Sequence, residues 1–209
     1  MPRSTIAVLL GTLVVLGGCA SSMSESQCLA NDWETVGYRD GLAGTQSTAL
    51  MRHMDACMKH GVRPDRNAYL AGWNDGVAQY CQPANGFSVG ERGAGYGNVC
   101  PPHLQGAFYA AYQDGRQLYL AQSELNGIGN AISQRELRLR DVKSELAGIP
   151  AGMISAESTA AERAAMLLTA KALAEEQGEL NAEIEGLQAE YAVKAERLDN
   201  LRHSLAYAD

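Results

Sequence analysis

Gly37-Tyr38-Arg39-Asp40-Gly41 returns as Gly72-Trp73-Asn74-Asp75-Gly76 and again as Ala111-Tyr112-Gln113-Asp114-Gly115. The shared pattern is small, aromatic, any residue, Asp, Gly. Its Asp positions lie 35 and 39 residues apart, a period in the range of helical repeats. Small residues four apart share a helical face, one turn apart. Glycine inside a helix costs about 1 kcal/mol relative to alanine, so three such faces need a compensating reason. Close approach of helix backbones supplies it, with the adjacent aromatic filling the groove beside the contact. The functional alternative is that Asp40, Asp75 and Asp114 converge on a cation or an amino sugar. No His or Glu recurs at a fixed offset from them, so packing is expected, each Asp bonding a nearby backbone N–H or standing in water.

Four cysteines surround the repeats: Cys28, Cys57, Cys81 and Cys100. An even number in an exported chain predicts two disulfides, with three possible connectivities. Pairing neighbours, Cys28 with Cys57 and Cys81 with Cys100, is the favoured one. It closes loops of about 30 and 20 residues and stabilises by ~3 to 4 kcal/mol each on the chain-entropy estimate. His53, Cys57 and His60 lie on one helical face and would suit zinc, but an oxidised Cys57 cannot ligate, so no metal and no cofactor is expected.

Helix signals flank these positions. Asn31 with Glu34 reads as a capping box opening a helix from Asp32 to about Gly44. Ser47 caps a second helix that Gly61 closes, and Asp65 caps a third running to Tyr80. A fourth begins after Pro101-Pro102. Asn85 to Gly97 reads as a glycine-rich loop, with turns or a short hairpin held by Cys81–Cys100. Its spacing fits no phosphate-binding loop.

Export is written at the start of the chain. Arg3 precedes an apolar run from Ile6 to Leu16 that ends in Leu16-Gly17-Gly18-Cys19. That is a secretory signal, and about 11 apolar residues fall short of the ~20 that span a bilayer. The box resembles the lipobox of bacterial lipoproteins, in which the cysteine thiol carries two acyl chains. The resemblance implies lipidation of Cys19, and Ala20 after it implies sorting to the outer membrane. Residues 1–18 are then the signal peptide and 19–27 a tether rich in Ser. Cleavage removes Arg3 alone among the charges, so the formal charge moves from -7 to 16 minus 24, or -8. Such a balance argues against nucleic acid or an anionic lipid surface as the main partner, because both need a basic patch to displace counterions.

Cys28, Asp32-Trp33, the 37–41 motif, Cys57, Tyr69-x-x-Gly72-Trp73, Tyr80-Cys81, Asn85-Gly86, Tyr96 and Val99-Cys100-Pro101 together resemble a bacterial lipoprotein family catalogued as domain of unknown function 2799. The resemblance covers about residues 28–120. It implies an envelope lipoprotein and carries no catalytic residues.

All Cys, Trp and Phe, and seven of the nine Tyr, precede residue 120. Beyond it lies helix-forming material with apolar residues at alternating spacings of three and four. One stripe runs Leu118, Ala121, Leu125, Ile128, Ile132, Arg135, Leu139, Val142, Leu146. The other runs Met166, Ala170, Leu173, Gln177, Leu180, Ile184, Leu187, Tyr191, Lys194, Leu198, Leu201, Leu205. Gly148-Ile149-Pro150-Ala151-Gly152 is expected to break the helix between them, with Ser155 or Ser158 capping the return. The expected fold is therefore all-α: a small disulfide-stapled helical domain over 28–117, followed by a long antiparallel coiled-coil hairpin over 118–209.

The chain lacks the H-E-x-x-H motif and has four His. The leading expectation is a non-enzymatic outer-membrane lipoprotein, lipid-anchored and facing the periplasm, whose hairpin meets a periplasmic protein. The alternatives are a small-ligand or glycan-binding module built on the glycine segment with Tyr96 and Trp73, and a wall-active enzyme.

Overall fold

The computed structural model describes residues 23–30 and 32–206; Cys19 and the signal segment lie outside them, as does Asn31. Seven helices make up the described chain: α1 (Glu25–Ala30), α2 (Trp33–Leu42), α3 (Ala49–Met58), α4 (Arg66–Tyr80), α5 (Pro83–Glu91), α6 (Pro102–Ile154) and α7 (Ala160–Ala206). The fold is all-α, with no strand among the described residues.

Capping fixes where the short helices begin. Asp32, not Asn31, is the N-cap of α2: its carboxylate accepts from the Glu34 N–H and the Thr35 hydroxyl. Asp65 caps α4 as expected, accepting from the Asn67 and Ala68 N–H groups. Thr48, not Ser47, precedes α3 and makes no side-chain cap bond. Pro83 and Pro102 open α5 and α6, where a missing N–H costs nothing.

The repeated glycines bring backbones together. A Cβ on Gly37 would lie 1.9 Å from the Tyr69 carbonyl oxygen, and one on Gly72 would lie 1.9 Å from the Glu34 oxygen. Gly41 faces Trp73 O, and Gly76 faces Tyr38 O. The contacts rise together along both helices, so α2 and α4 pack in parallel, each glycine seated on the carbonyl three residues before its partner. Small residues four apart permit this close crossing.

The third copy, Ala111 to Gly115 on α6, has a partner that the pattern did not reveal. Gly86 and Gly90 on α5 face Phe108 O and Tyr112 O, while Gly115 faces Phe87 O. Of the residues expected as a glycine-rich loop, Asn85 to Glu91 are thus helical, while Arg92 to Gly97 are turn and coil as expected, with Gly93 at φ 71°. The reason is that glycine spaced by four serves a helix crossing as well as it serves a turn.

The two parallel pairs are copies of one another. Gly44 and Gly93, three residues past Gly41 and Gly90, both take the left-handed conformation at φ 69° and 71°. Each lies against a tyrosine ring four residues past the partner glycine, Tyr80 and Tyr119 respectively. Trp73 Nε1 donates to Thr45 O at 2.8 Å, and Tyr112 Oη donates to Ala94 O at 3.1 Å, again at matching positions. Tyr69 and Phe108, three residues before Gly72 and Ala111, are both fully buried. A parallel pair needs a return segment. The first repeat returns through α3; the second returns through residues 92–101 without a helix. Each return is tied to the residue that precedes its pair, by Cys28–Cys57 and by Cys81–Cys100.

Beyond the second repeat α6 continues without interruption and pairs with α7. Cross-helix bonds join Gln122 to Arg202, Glu124 to Lys194, Arg135 to Glu183 and Arg138 to Glu176. Numbers rise in one helix as they fall in the other, so the hairpin is antiparallel and coiled-coil-like. Both stripes face inward, with Leu125, Ile128, Leu139, Val142, Leu173, Ile184 and Leu198 buried; Tyr191 is the exception, at 39% exposure. The expected break at 148–152 does not occur. The helix passes through Pro150 to Ile154, because a proline one turn from a helix end forfeits a single bond at an exposed site. The turn is 155–159, and the cap is Thr159 rather than Ser155 or Ser158. Thr159 N and Oγ1 donate to Glu162, whose N–H donates back to Thr159 Oγ1, and these bonds lower the Glu162 pKa. The end of α7 returns to the disulfide domain: Leu198, Leu201 and Leu205 pack with Leu118, Leu125 and Phe87. The expected boundary at 117/118 lies inside α6.

Candidate functional site

Three helices of the first repeat meet at one carboxylate. Asp40 on α2 accepts from the Tyr69 hydroxyl of α4 at 2.7 Å and from His53 Nε2 of α3 at 2.8 Å, both at Oδ2. Glycine packing of α2 on α4 sets the first distance, because it holds the two backbones at a fixed register. The Cys28–Cys57 bond, one turn along α3 from His53, holds the second. Burial, then the Asp40 hydrogen bond, then the Asp40 charge raise the Tyr69 pKa, so its proton stays on the hydroxyl.

Asp40 and His53 open on a cleft of about 270 Å³ whose other walls are Met23, Gln27 of α1, and Val36 and Arg39 of α2. His53 also stands beside the Trp33 and Tyr69 rings, at 6.5 and 5.9 Å between centroids. The cleft has the donors and acceptors to hold a small polar molecule. Among the described residues no nucleophilic side chain bonds the His53 imidazole.

The three motif carboxylates do not converge. Asp40 has the partners just described, Asp75 is exposed, and Asp114 lines a groove with Phe87 and Leu205. The expectation that each Asp bonds a backbone N–H or stays in solvent is corrected at Asp40, which bonds two side chains. The glycines Gly37, Gly41, Gly72, Gly76 and Gly115 are all contact residues. Among the described residues no three His, Cys, Asp or Glu side chains cluster as metal ligands; Cys57 is in its disulfide, His53 is on Asp40, and His60 is 3.8 Å from Glu25. The aromatics expected to bind ligand are engaged within the fold. Trp73 bonds Thr45 O, and Tyr96 lies among Phe108, Tyr109 and Tyr112. His53 was visible in the sequence only as a metal candidate; its partner 13 residues away was not.

The second repeat carries an apolar version of the same place. Val89 stands where Asp40 stands, Phe108 replaces Tyr69, and Tyr96, four residues before Cys100, replaces His53, four residues before Cys57. Val89 and Phe108 are buried in one cluster against Tyr96. The scaffold therefore forms without the polar triad.

The far end of the hairpin is the other exposed feature. Ile154, Leu167 and Leu168 are 84%, 56% and 71% exposed, and residues 147–170 carry three charges, Glu157, Glu162 and Arg163. No described helix is long and apolar enough to cross a membrane.

The sequence model of a family described as Protein of unknown function (DUF2799) matches residues 32–117. That interval holds both glycine-packed pairs and ends where the second leaves the disulfide domain. No curated protein and no solved structure matches the chain.

Proposed function

We propose, for a chain whose residues 32–117 form a domain of this family, that it is a non-enzymatic outer-membrane lipoprotein acting as a scaffold. The duplicated domain is held to the membrane through acylated Cys19 and presents the hairpin to a periplasmic protein. The observation that carries this reading is the continuity of α6. One helix begins in the second repeat, where Gly115 packs on α5, and ends at Ile154. Those 154 minus 115, or 39, residues project the tip ~58 Å. A rod rigidly rooted in a disulfide-bonded base and ending in exposed leucine and isoleucine suits contact at a distance. Apolar side chains massed at a tip are uncommon on a surface without a binding role.

Photo-crosslinking in living cells tests it. A photoreactive residue at Leu168 is expected to give one discrete heavier product, absent with Leu167→Glu. Crosslinks of equal yield from Leu168 and from mid-hairpin Glu179 would refute specific tip docking.

Small-ligand binding is a second reading, favoured by the polar triad and its cleft. Packing does not require those groups, since the second repeat does without them. Replacing Asp40, His53 and Tyr69 by Val, Tyr and Phe leaves a folded chain on this reading and abolishes any ligand response of the neighbouring Trp33 indole resonance. Retained response would exclude the cleft.

A further inference from the structure

The return segment of the first repeat contains a helix that the second repeat does without. Residues 92–101 bring the chain back to α6 with no helix, while the first return inserts α3. The parallel pair does not need α3, so what α3 displays is free for another use. Its outer side carries Met51 and Met58, both 60% exposed, with Arg52 and Lys59 next to them. Met54, Met58, Gly61, Val62 and Arg63 line a shallow apolar depression of about 380 Å³. Leu29, 67% exposed, follows Cys28, whose bond to Cys57 sets α1 beside the end of α3.

This end carries a local positive balance. Residues 52–66 hold Arg52, Lys59, Arg63 and Arg66 against Asp55 and Asp65, a formal 4 minus 2, or +2, in a chain of -7. Asp65 is engaged in capping α4, and Glu25 lies near His60. Methionines alternating with exposed basic residues on a short helix suit a membrane interface, where apolar side chains enter the headgroup boundary and cations meet anionic lipid.

We infer that the α1–α3 face, with Met51, Met58, Arg52, Lys59 and Arg63, rests on an anionic phospholipid surface. The inference rests on the proposed lipidation of Cys19 and deepens it. Cys28 lies nine positions past Cys19, and α1 opens at Glu25, so the six positions from Cys19 to α1 reach at most about 20 Å when extended. The acylated residue therefore keeps this end of the domain, and no other, against the bilayer. The acyl chains supply the attachment, and the basic apolar patch adds the orientation. Docked in this way, the domain has a fixed orientation.

The test uses the full chain, produced with its own N-terminus, purified from membranes and reconstituted into vesicles. Met58→Cys carries an environment-sensitive fluorophore, and Leu168→Cys carries it in a control. Phosphatidylglycerol–phosphatidylcholine vesicles are expected to blue-shift the Met58 label and expose it to a lipid-borne quencher. Phosphatidylcholine vesicles should not, and the Leu168 label should stay in water. Each basic side chain favours an anionic surface about fivefold, so Lys59→Glu with Arg63→Glu should abolish the shift while helicity by circular dichroism is unchanged. A water-exposed Met58 label in both vesicle types would overturn the inference, and an equal shift in both would overturn the anionic choice. The mass of the N-terminal peptide reports the anchor separately. If it lacks acyl chains the lipoprotein reading fails, and flotation of the same labelled chain with anionic vesicles still decides whether the face binds.

Discussion

The first repeat and the second build the same parallel helix pair from different side chains. They share the glycines at the crossing, the left-handed glycine beneath a tyrosine ring, the bond from an aromatic to the return segment, and the disulfide. They differ at the triad and in the return segment, where one has Asp40, His53, Tyr69 and a helix, and the other has Val89, Tyr96, Phe108 and a short coil. The shared set is what the crossing demands. The differences mark places where the first repeat is not constrained by its own folding, which is why a cleft and a basic apolar face are read there.

Removing the disulfides should give the largest effect. Replacing Cys28 and Cys57 by Ala, or Cys81 and Cys100 by Ala, is expected to cost ~3 to 4 kcal/mol on the chain-entropy estimate, read from urea midpoints. Equal losses would support equivalence of the two returns. A much smaller loss at Cys28 and Cys57 would mean that α3 is held mainly by His53.

The crossings come next. Gly76→Leu and Gly90→Leu should each lower stability by about 1–3 kcal/mol or more, as overpacking does, because a Cβ there would meet a backbone oxygen at 2.1 Å. Gly106→Ala meets nothing within 4 Å and should stabilise α6 by about 0.4–1 kcal/mol. If Gly90 tolerates leucine as Gly106 tolerates alanine, the second crossing is not glycine-dependent and the two repeats are less alike than their contacts indicate.

At the triad, Asp40→Val alone should cost about 1–3 kcal/mol, since it leaves the Tyr69 hydroxyl unpaired in the core. The triple replacement with Val, Tyr and Phe should cost less than the single one, by calorimetry. A triple variant less stable than the single would show that the first repeat cannot accept the second repeat's solution.

The smallest effect is alkaline. The Tyr69 pKa is raised on folding, by burial first and then by Asp40, so the folded chain holds that proton more tightly than the unfolded chain does. Its stabilisation is complete below the ordinary tyrosine pKa near ~10 and is lost as pH climbs above it. Tyr69→Phe should flatten this alkaline decline, while Tyr191→Phe, at an exposed site, should not.

Much of the fold is legible in the sequence. Three glycine motifs, four cysteines in neighbouring pairs and two apolar stripes lead to a stapled helical domain and a hairpin. The fourth glycine pair escaped because Val89 stands in the Asp position and because Gly86 and Gly90 sit among residues that also make turns. Asp40 escaped because hydrogen bonds to residues 13 and 29 positions away follow from the crossing geometry, which spacing along one helix does not encode. Pro150 misled because its cost depends on how near the helix end lies, and α6 ends one turn further on at Ile154.

The pairing of consecutive cysteines governs the order in which the chain can be completed. Neither disulfide loop contains a cysteine of the other, so a chain emerging from its N-terminus can oxidise the first pair before the second has appeared. Each half can be locked in turn, and the long helices, which carry no thiol, are added to a base already sealed. Biogenesis on this plan calls for an oxidant but not for reshuffling.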